Sequence, residues 1–154
     1  MTPDEFAETI LQTYEGVTFK AFWGDQSFFY NPGSRFANGA YFATMKLHDG
    51  ENDSASNINR PGVWRLNIGL TPKAYKSVLG DKPARPARGE AVEGPWDFTS
   101  LDTLMPHPCY GWMGWVAILS PSAQNVTTLK PLLDDAYGKA VKAFDKRVRA
   151  DRRR

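Results

Sequence analysis

Residues 62–70 read Gly-Val-Trp-Arg-Leu-Asn-Ile-Gly-Leu. In an extended chain this run places Trp64, Leu66, Ile68 and Leu70 on one face and Val63, Arg65, Asn67 and Gly69 on the other. A strand of that kind carries one apolar face, which must be covered by helices or by a second sheet. Residues 17–23 alternate in the same way. Gly24-Asp25 then supplies a two-residue turn into residues 26–30, which predicts a β-hairpin. After the turn signals Asn31-Pro32-Gly33 and Asn38-Gly39, residues 40–47 read as a third strand, 62–70 as a fourth and 112–119 as a last one.

Helix signals flank these strands. Thr2, Pro3 and Glu5 form a capping-box sequence that opens a helix over 2–14, with Phe6, Ile10, Leu11 and Tyr14 as its apolar stripe. Thr71-Pro72 repeats the cap-plus-proline pattern and starts a short helix ending near Leu79. A final helix over 128–150 carries Leu129, Leu132, Leu133, Ala136, Tyr137, Ala140, Val141 and Phe144 on one face, with Pro131 in its first turn. Residues 48–61 form a polar loop. It fails as a calcium loop, because Ser54 stands where glycine is needed and Arg60 where the twelfth-position acid belongs. Residues 81–95, rich in proline, read as a long surface loop. The order predicts an α+β two-layer sandwich: an antiparallel sheet of about five strands with helices packed on one face and the other face open.

The 154 residues fit a single domain over 1–150 followed by a basic tail at 151–154. A single cysteine excludes an intramolecular disulfide, no secretory pattern opens the chain, and no apolar run is long enough for a bilayer. The expected location is the cytoplasm. From Lys139 to Arg154 there are eight basic and two acidic residues, so the first 138 positions carry −4 of a chain whose net charge is +2. A basic helix end complements the helix dipole, and the acidic body opposes contact with a nucleic acid.

The densest chemistry lies in Met-Pro-His-Pro-Cys-Tyr-Gly-Trp-Met-Gly-Trp at 105–115, which holds the only Cys and one of two His. Prolines on both sides of His107 stiffen the backbone there. His107 could serve as a general acid or base, or as a hydrogen-bonding group at the sheet edge. Cys109 lies on the same side of an extended chain, so a thiolate–imidazole pair is one reading and a small apolar Cys the other. Arg65 and Asn67 project together from their strand and suit a carboxylate, a phosphate or a planar polar ligand, with Tyr110, Trp112 or Trp115 as a stacking wall. Alternatively, Arg65 pairs with Asp49 or Asp53. His48 and His107 lack metal-ligand spacing, and no phosphate-binding glycine pattern is present, so neither metal nor cofactor is expected.

The segments F-F-Y-N-P-G, Y-F-A-T-M-K, R-P-G-V-W-R-L-N-I-G, M-P-H-P-C-Y-G-W-M-G-W and L-K-P-L-L-D-D-A-Y-G-K-A together resemble a group of small uncharacterised bacterial domains. That group is in turn similar to MmcQ/YjbR-like proteins, with a strand leading into a short helix and a terminal helix bearing a tyrosine, here Tyr137. The resemblance implies a compact α/β sandwich, in a family sometimes proposed to bind DNA, an activity the acidic body does not support. The expectation is a binding or regulatory module in which Arg65, Asn67, His107, Tyr110 and Trp112 hold a small polar or aromatic ligand or a protein partner. A cofactor-independent enzyme using His107, Cys109 and Tyr110 is the alternative, and a weak nucleic-acid contact through the basic helix a third. The exposed aromatics also suit a homodimer interface.

Overall fold

The computed structural model describes residues 1–22 and 24–153, with Phe22 described through its backbone alone. Its strands are β1 (Val17–Phe22), β2 (Asp25–Tyr30), β3 (Ala40–Lys46), β4 (Arg65–Gly69), β5 (Met105–Pro106) and β6 (Trp115–Leu119). Its helices are α1 (Pro3–Thr13), α2 (Pro72–Leu79), α3 (Ala123–Thr128) and α4 (Lys130–Arg152). The strands form one antiparallel sheet in the order β1-β2-β3-β4-β6-β5. The α+β expectation holds, with a sixth strand contributed by the short β5. The expected end of the first strand at Trp23 lies outside the described residues.

All four helices pack on one sheet face. Phe6, Ala7 and Ile10 of α1, Tyr75 of α2, Val126 of α3, and Leu133, Ala136 and Ala140 of α4 share a buried cluster with Phe28, Phe42, Leu66, Ile68, Val116 and Ile118 of the sheet. The Thr2–Glu5 capping box forms as its sequence requires, the Thr2 hydroxyl accepting from the Glu5 N–H and the Glu5 carboxylate from the Thr2 N–H. Leu11, expected on the buried stripe, is 43% exposed, and Ala7 takes the inward position. Described helices include none long and apolar enough to cross a membrane.

The opposite sheet face is shaped by a bulge. Phe28 of β2 pairs with Ala43, and Phe29 with Tyr41, so Phe42 is skipped. Phe42 therefore joins Ala43 on the helix side, while Tyr41 turns to the open side. Part of that open side is closed by loops: Ile58, Met105, Ala117 and Leu119 form a second buried cluster, with Trp96 and Phe98 packed against it. The 81–95 stretch is largely exposed as expected, but Val92 is buried and its N–H donates to the Pro108 carbonyl. Trp112, expected at the start of the last strand, instead sits in a 3₁₀ turn (Gly111–Met113) that ends at left-handed Gly114, and pairing resumes only at Trp115.

Candidate functional site

Strand parity puts Arg65 and Asn67 of β4 beside Thr44 of β3 on the open face, where Asn67 and Thr44 are register partners. Arg65 is fully buried, and four of its five N–H donors meet acceptors on neighbouring side chains. Its Nε donates to Asn67 Oδ1 at 2.8 Å, and Nη1 donates to Asp53 Oδ1 at 2.9 Å and to Ser56 Oγ at 3.1 Å. Nη2 donates to Asp53 Oδ2, completing a bidentate fork. Asn67 passes the network on, its Nδ2 donating to Thr44 Oγ1 at 2.9 Å. Burial pushes the Asp53 carboxyl up, but the hydrogen bonds and charge of Arg65 outweigh it, and the net effect is a pKa below the ordinary carboxylate value.

The loop delivering Asp53 is fastened at several points. The Asp49 carboxylate accepts from the Ile58 N–H, the Asn59 side-chain carbonyl accepts from the Asp49 N–H, and the Arg60 guanidinium donates to the carbonyls of Asn57, Ser56 and Thr99. Asp49 is thus a scaffold residue, and Asp53 is the partner of Arg65.

His107 is buried against this network. Its Nδ1 accepts two backbone N–H bonds, from Cys109 at 3.0 Å and Tyr110 at 3.1 Å, because the chain turns tightly after Pro108 instead of running extended. Its Nε2 lies 3.2 Å from Arg65 Nη2. Burial and then the Arg65 charge hold the imidazole pKa well below its usual value, so the ring is neutral. The Cys109 thiol donates to the Asn52 carbonyl at 3.4 Å, and burial, followed by the Asp53 charge, pushes its pKa up to about 11. Cys109 is therefore a thiol near neutral pH, not a thiolate paired with His107.

Above the network lies a hollow of about 430 Å³. Ser27, Thr44, His107 and the Asp25–Lys46 ion pair give it polar walls, and Tyr41, Tyr110, Met113 and Trp115 an aromatic and thioether rim. Tyr41 stacks on Trp115 with centroids 5.4 Å apart at 26°, and Tyr110 lies 4.9 Å from the His107 ring. Burial raises the Asp25 pKa despite the Lys46 ammonium 3.2 Å away. A second hollow, of about 470 Å³, adjoins the first and shares Lys46, Asp53 and Tyr110 with it. Its lining adds Arg85, Arg88, Cys109 and Trp112, with the Arg85 guanidinium over the Trp112 ring.

Of the residues singled out from sequence, Arg65, Asn67 and His107 meet in one network, Tyr110 stands on the rim and Trp112 faces the neighbouring hollow. Arg65 and Asn67 lie beneath the floor, where they bond to each other and to Asp53, Ser56 and Thr44. Sequence reading did not single out Asp25, Ser27, Tyr41, Thr44, Lys46 or Met113. The polar character of Ser27, Thr44 and Lys46 within otherwise apolar strands was the available signal.

Asp53, His107 and Cys109 each bring one potential ligand atom within 4.8 Å of the others. They do not suit a cation as arranged: the Arg65 guanidinium spans both Asp53 oxygens, His107 Nδ1 is taken by two amides and Cys109 is protonated. His48 is exposed and outside this group.

Neither the curated proteins nor the solved structures contain a match to this chain. One family of proteins does match, over residues 1–149, which include every element of the sheet and the whole of the polar network. The chain belongs to this family of unknown function, DUF6194.

Proposed function

We propose that the chain is a binding module for a small polar or aromatic molecule, which it holds in the hollow on the open face of the sheet. The observation that carries this reading is a fully buried arginine, fixed by Asp53, Asn67 and Ser56, directly under a hollow whose rim keeps Tyr41, Tyr110 and Met113 about half exposed. A rigid polar floor with apolar walls orients a ligand through few polar groups and takes most of its binding energy from ring burial. Binding fits better than proton-transfer catalysis, because both His107 nitrogens face fixed protein N–H groups, Nδ1 two amides and Nε2 the Arg65 guanidinium, and Cys109 is held as a thiol. The likeness to MmcQ/YjbR-like domains and a bacterial, cytoplasmic setting remain compatible with this reading.

The test is a thermal-shift screen of small aromatic acids, amides and amines on the wild type and on Tyr41→Ala. A ligand at 100 times its Kd adds about 2.7 kcal/mol, or about 5–10 °C in a domain of this size. The expected result is a shift in the wild type that Tyr41→Ala loses while its own unfolding temperature stays close to the parent's. A compound that stabilises both proteins equally binds elsewhere and refutes the assignment. A change in oligomeric state on Tyr41→Ala, with no compound active, makes the rim a subunit interface instead.

A further inference from the structure

The hydrogen-bond roles around His107 specify what the hollow's ligand must present. Two backbone N–H groups point at Nδ1, so Nδ1 is an acceptor, and the single proton of a neutral imidazole resides on Nε2. The polar atom that Nε2–H meets, at 3.2 Å, is Arg65 Nη2, which can only donate. The opposite tautomer is worse, because it sets Nδ1–H against two amides to relieve one contact. The Asp53 carboxylate, within 4.8 Å of a His107 ring nitrogen, bonds to Arg65 and makes no hydrogen bond to the imidazole. Among the described residues no side chain offers Nε2–H an acceptor, although His107 is only 3% exposed and lines the hollow. A buried donor in this state has given up water without gaining a protein acceptor. Lys46, in the same wall, has three ammonium protons, of which one bond to Asp25 accounts for one.

We propose that the ligand is a planar aromatic molecule bearing a carboxylate or carbonyl oxygen, which accepts from His107 Nε2–H and Lys46 Nζ while the ring lies against Tyr41, Trp115 and Tyr110. This rests on the assignment of the hollow as a binding site and adds the ligand's chemical class. The acceptor oxygen satisfies the donor that the fold leaves without one, and the stacked Tyr41–Trp115 pair gives the ring a flat wall.

Three probes with one ring and different head groups test it: 2-naphthoate, 2-naphthamide and 2-naphthylmethylamine. Binding is followed by the tryptophan indole N–H signals in ¹H–¹⁵N spectra, and the His107 tautomer by long-range ¹H–¹⁵N imidazole correlations. The expected result is an Nε2–H tautomer in the free protein, and naphthoate and naphthamide each binding about tenfold or more tighter than the amine. The order of acid and amide then tells carboxylate from neutral carbonyl. An Nδ1–H or cationic ring, or an amine that binds as well as the acid while moving the Trp115 indole signal, overturns the acceptor requirement and leaves the binding hollow standing. If no probe moves the Trp115 signal, the hollow itself fails as an aromatic site, and the inference fails with it. Lys46→Met, in a mostly buried side chain that belongs to neither apolar cluster, should weaken naphthoate more than the amine. Equal weakening of both overturns the role given to Lys46.

Discussion

Replacing Arg65 by methionine removes the cation but keeps most of the volume of a side chain with no exposed surface. Asp53 then retains its carboxylate, 15% exposed, without the bidentate partner, and Asn67 Oδ1 and Ser56 Oγ each lose a donor. Breaking a buried pair from one side costs about 3–5 kcal/mol, a large part of the about 5–15 kcal/mol that holds a domain folded. Adding Asp53→Asn to Arg65→Met removes the stranded charge, and recovery of about 1–3 kcal/mol is expected. Urea unfolding of the four proteins of this cycle measures both quantities. The pH dependence supplies a second check. In the wild type the folded Asp53 pKa lies below its unfolded value of about 3.9, so its contribution is present above that pH and is lost as pH falls through the folded value. In Arg65→Met burial acts without that opposing cation, the folded pKa rises above the unfolded one, and protonation on acidification relieves the penalty. The stability gap between variant and wild type should therefore narrow from neutral pH toward about pH 4. A single-variant cost under about 1 kcal/mol, the range of an exposed pair, or a gap that widens on acidification would refute the reasoning.

Three further outcomes follow from the packing. A Cβ at Gly69 meets the Trp115 ring at 2.7 Å, so Gly69→Ala should displace that ring from Tyr41, cost about 1–3 kcal/mol and change the near-ultraviolet circular dichroism; an unchanged spectrum and stability contradict the stacked rim. Cys109, with its pKa raised to about 11, should react slowly with iodoacetamide at neutral pH and faster as pH rises toward that value, whereas rapid labelling at neutral pH means that the thiol is not held by the Asn52 carbonyl. Phe6→Ala should cost about 3–5 kcal/mol in chemical unfolding and Leu11→Ala well under half of that, since Phe6 is fully buried and Leu11 is not; equal costs contradict the orientation of α1.

The layers of this fold were legible in the sequence because they rest on periodicities. The alternation at 62–70 separated Leu66 and Ile68 from Arg65 and Asn67, and the capping signals at Thr2 and Thr71 located two helix starts. The site was legible only in part, because its acceptors come from loops whose path depends on tertiary contact. Asp53 reaches Arg65 through a loop held by Asp49, Asn59 and Arg60, and no local rule ranks Asp53 above Asp49. His107 was marked by its two prolines, but its role follows from amides two and three residues later, which an extended reading of 105–115 sends elsewhere. That reading also carried Trp112 into a strand, whereas left-handed Gly114 ends a turn there and releases Trp115 instead. Leu11 was misplaced because the buried arc of the helix, from Phe6 through Ile10 and Tyr14 to Ala7, spans about 100°, and Leu11 lies about 40° beyond it.

The bulge in β2–β3 links the core to the site. Had alternation continued unbroken from Ala43, Phe42 would stand on the open face and Tyr41 in the helix layer. The extra residue keeps Phe42 inside, in contact with Tyr14, Phe28 and Tyr137, and sends Tyr41 outward onto Trp115. One irregularity thus completes the apolar layer and builds one wall of the hollow, while Thr44 and Lys46, beyond the bulge, keep the parity that points them at Asn67 and Asp25. The aromatic rim and the polar floor therefore arise on the same strand from opposite sides of a single register shift, which is why the hollow combines ring-stacking and hydrogen-bonding surfaces within the reach of one small ligand.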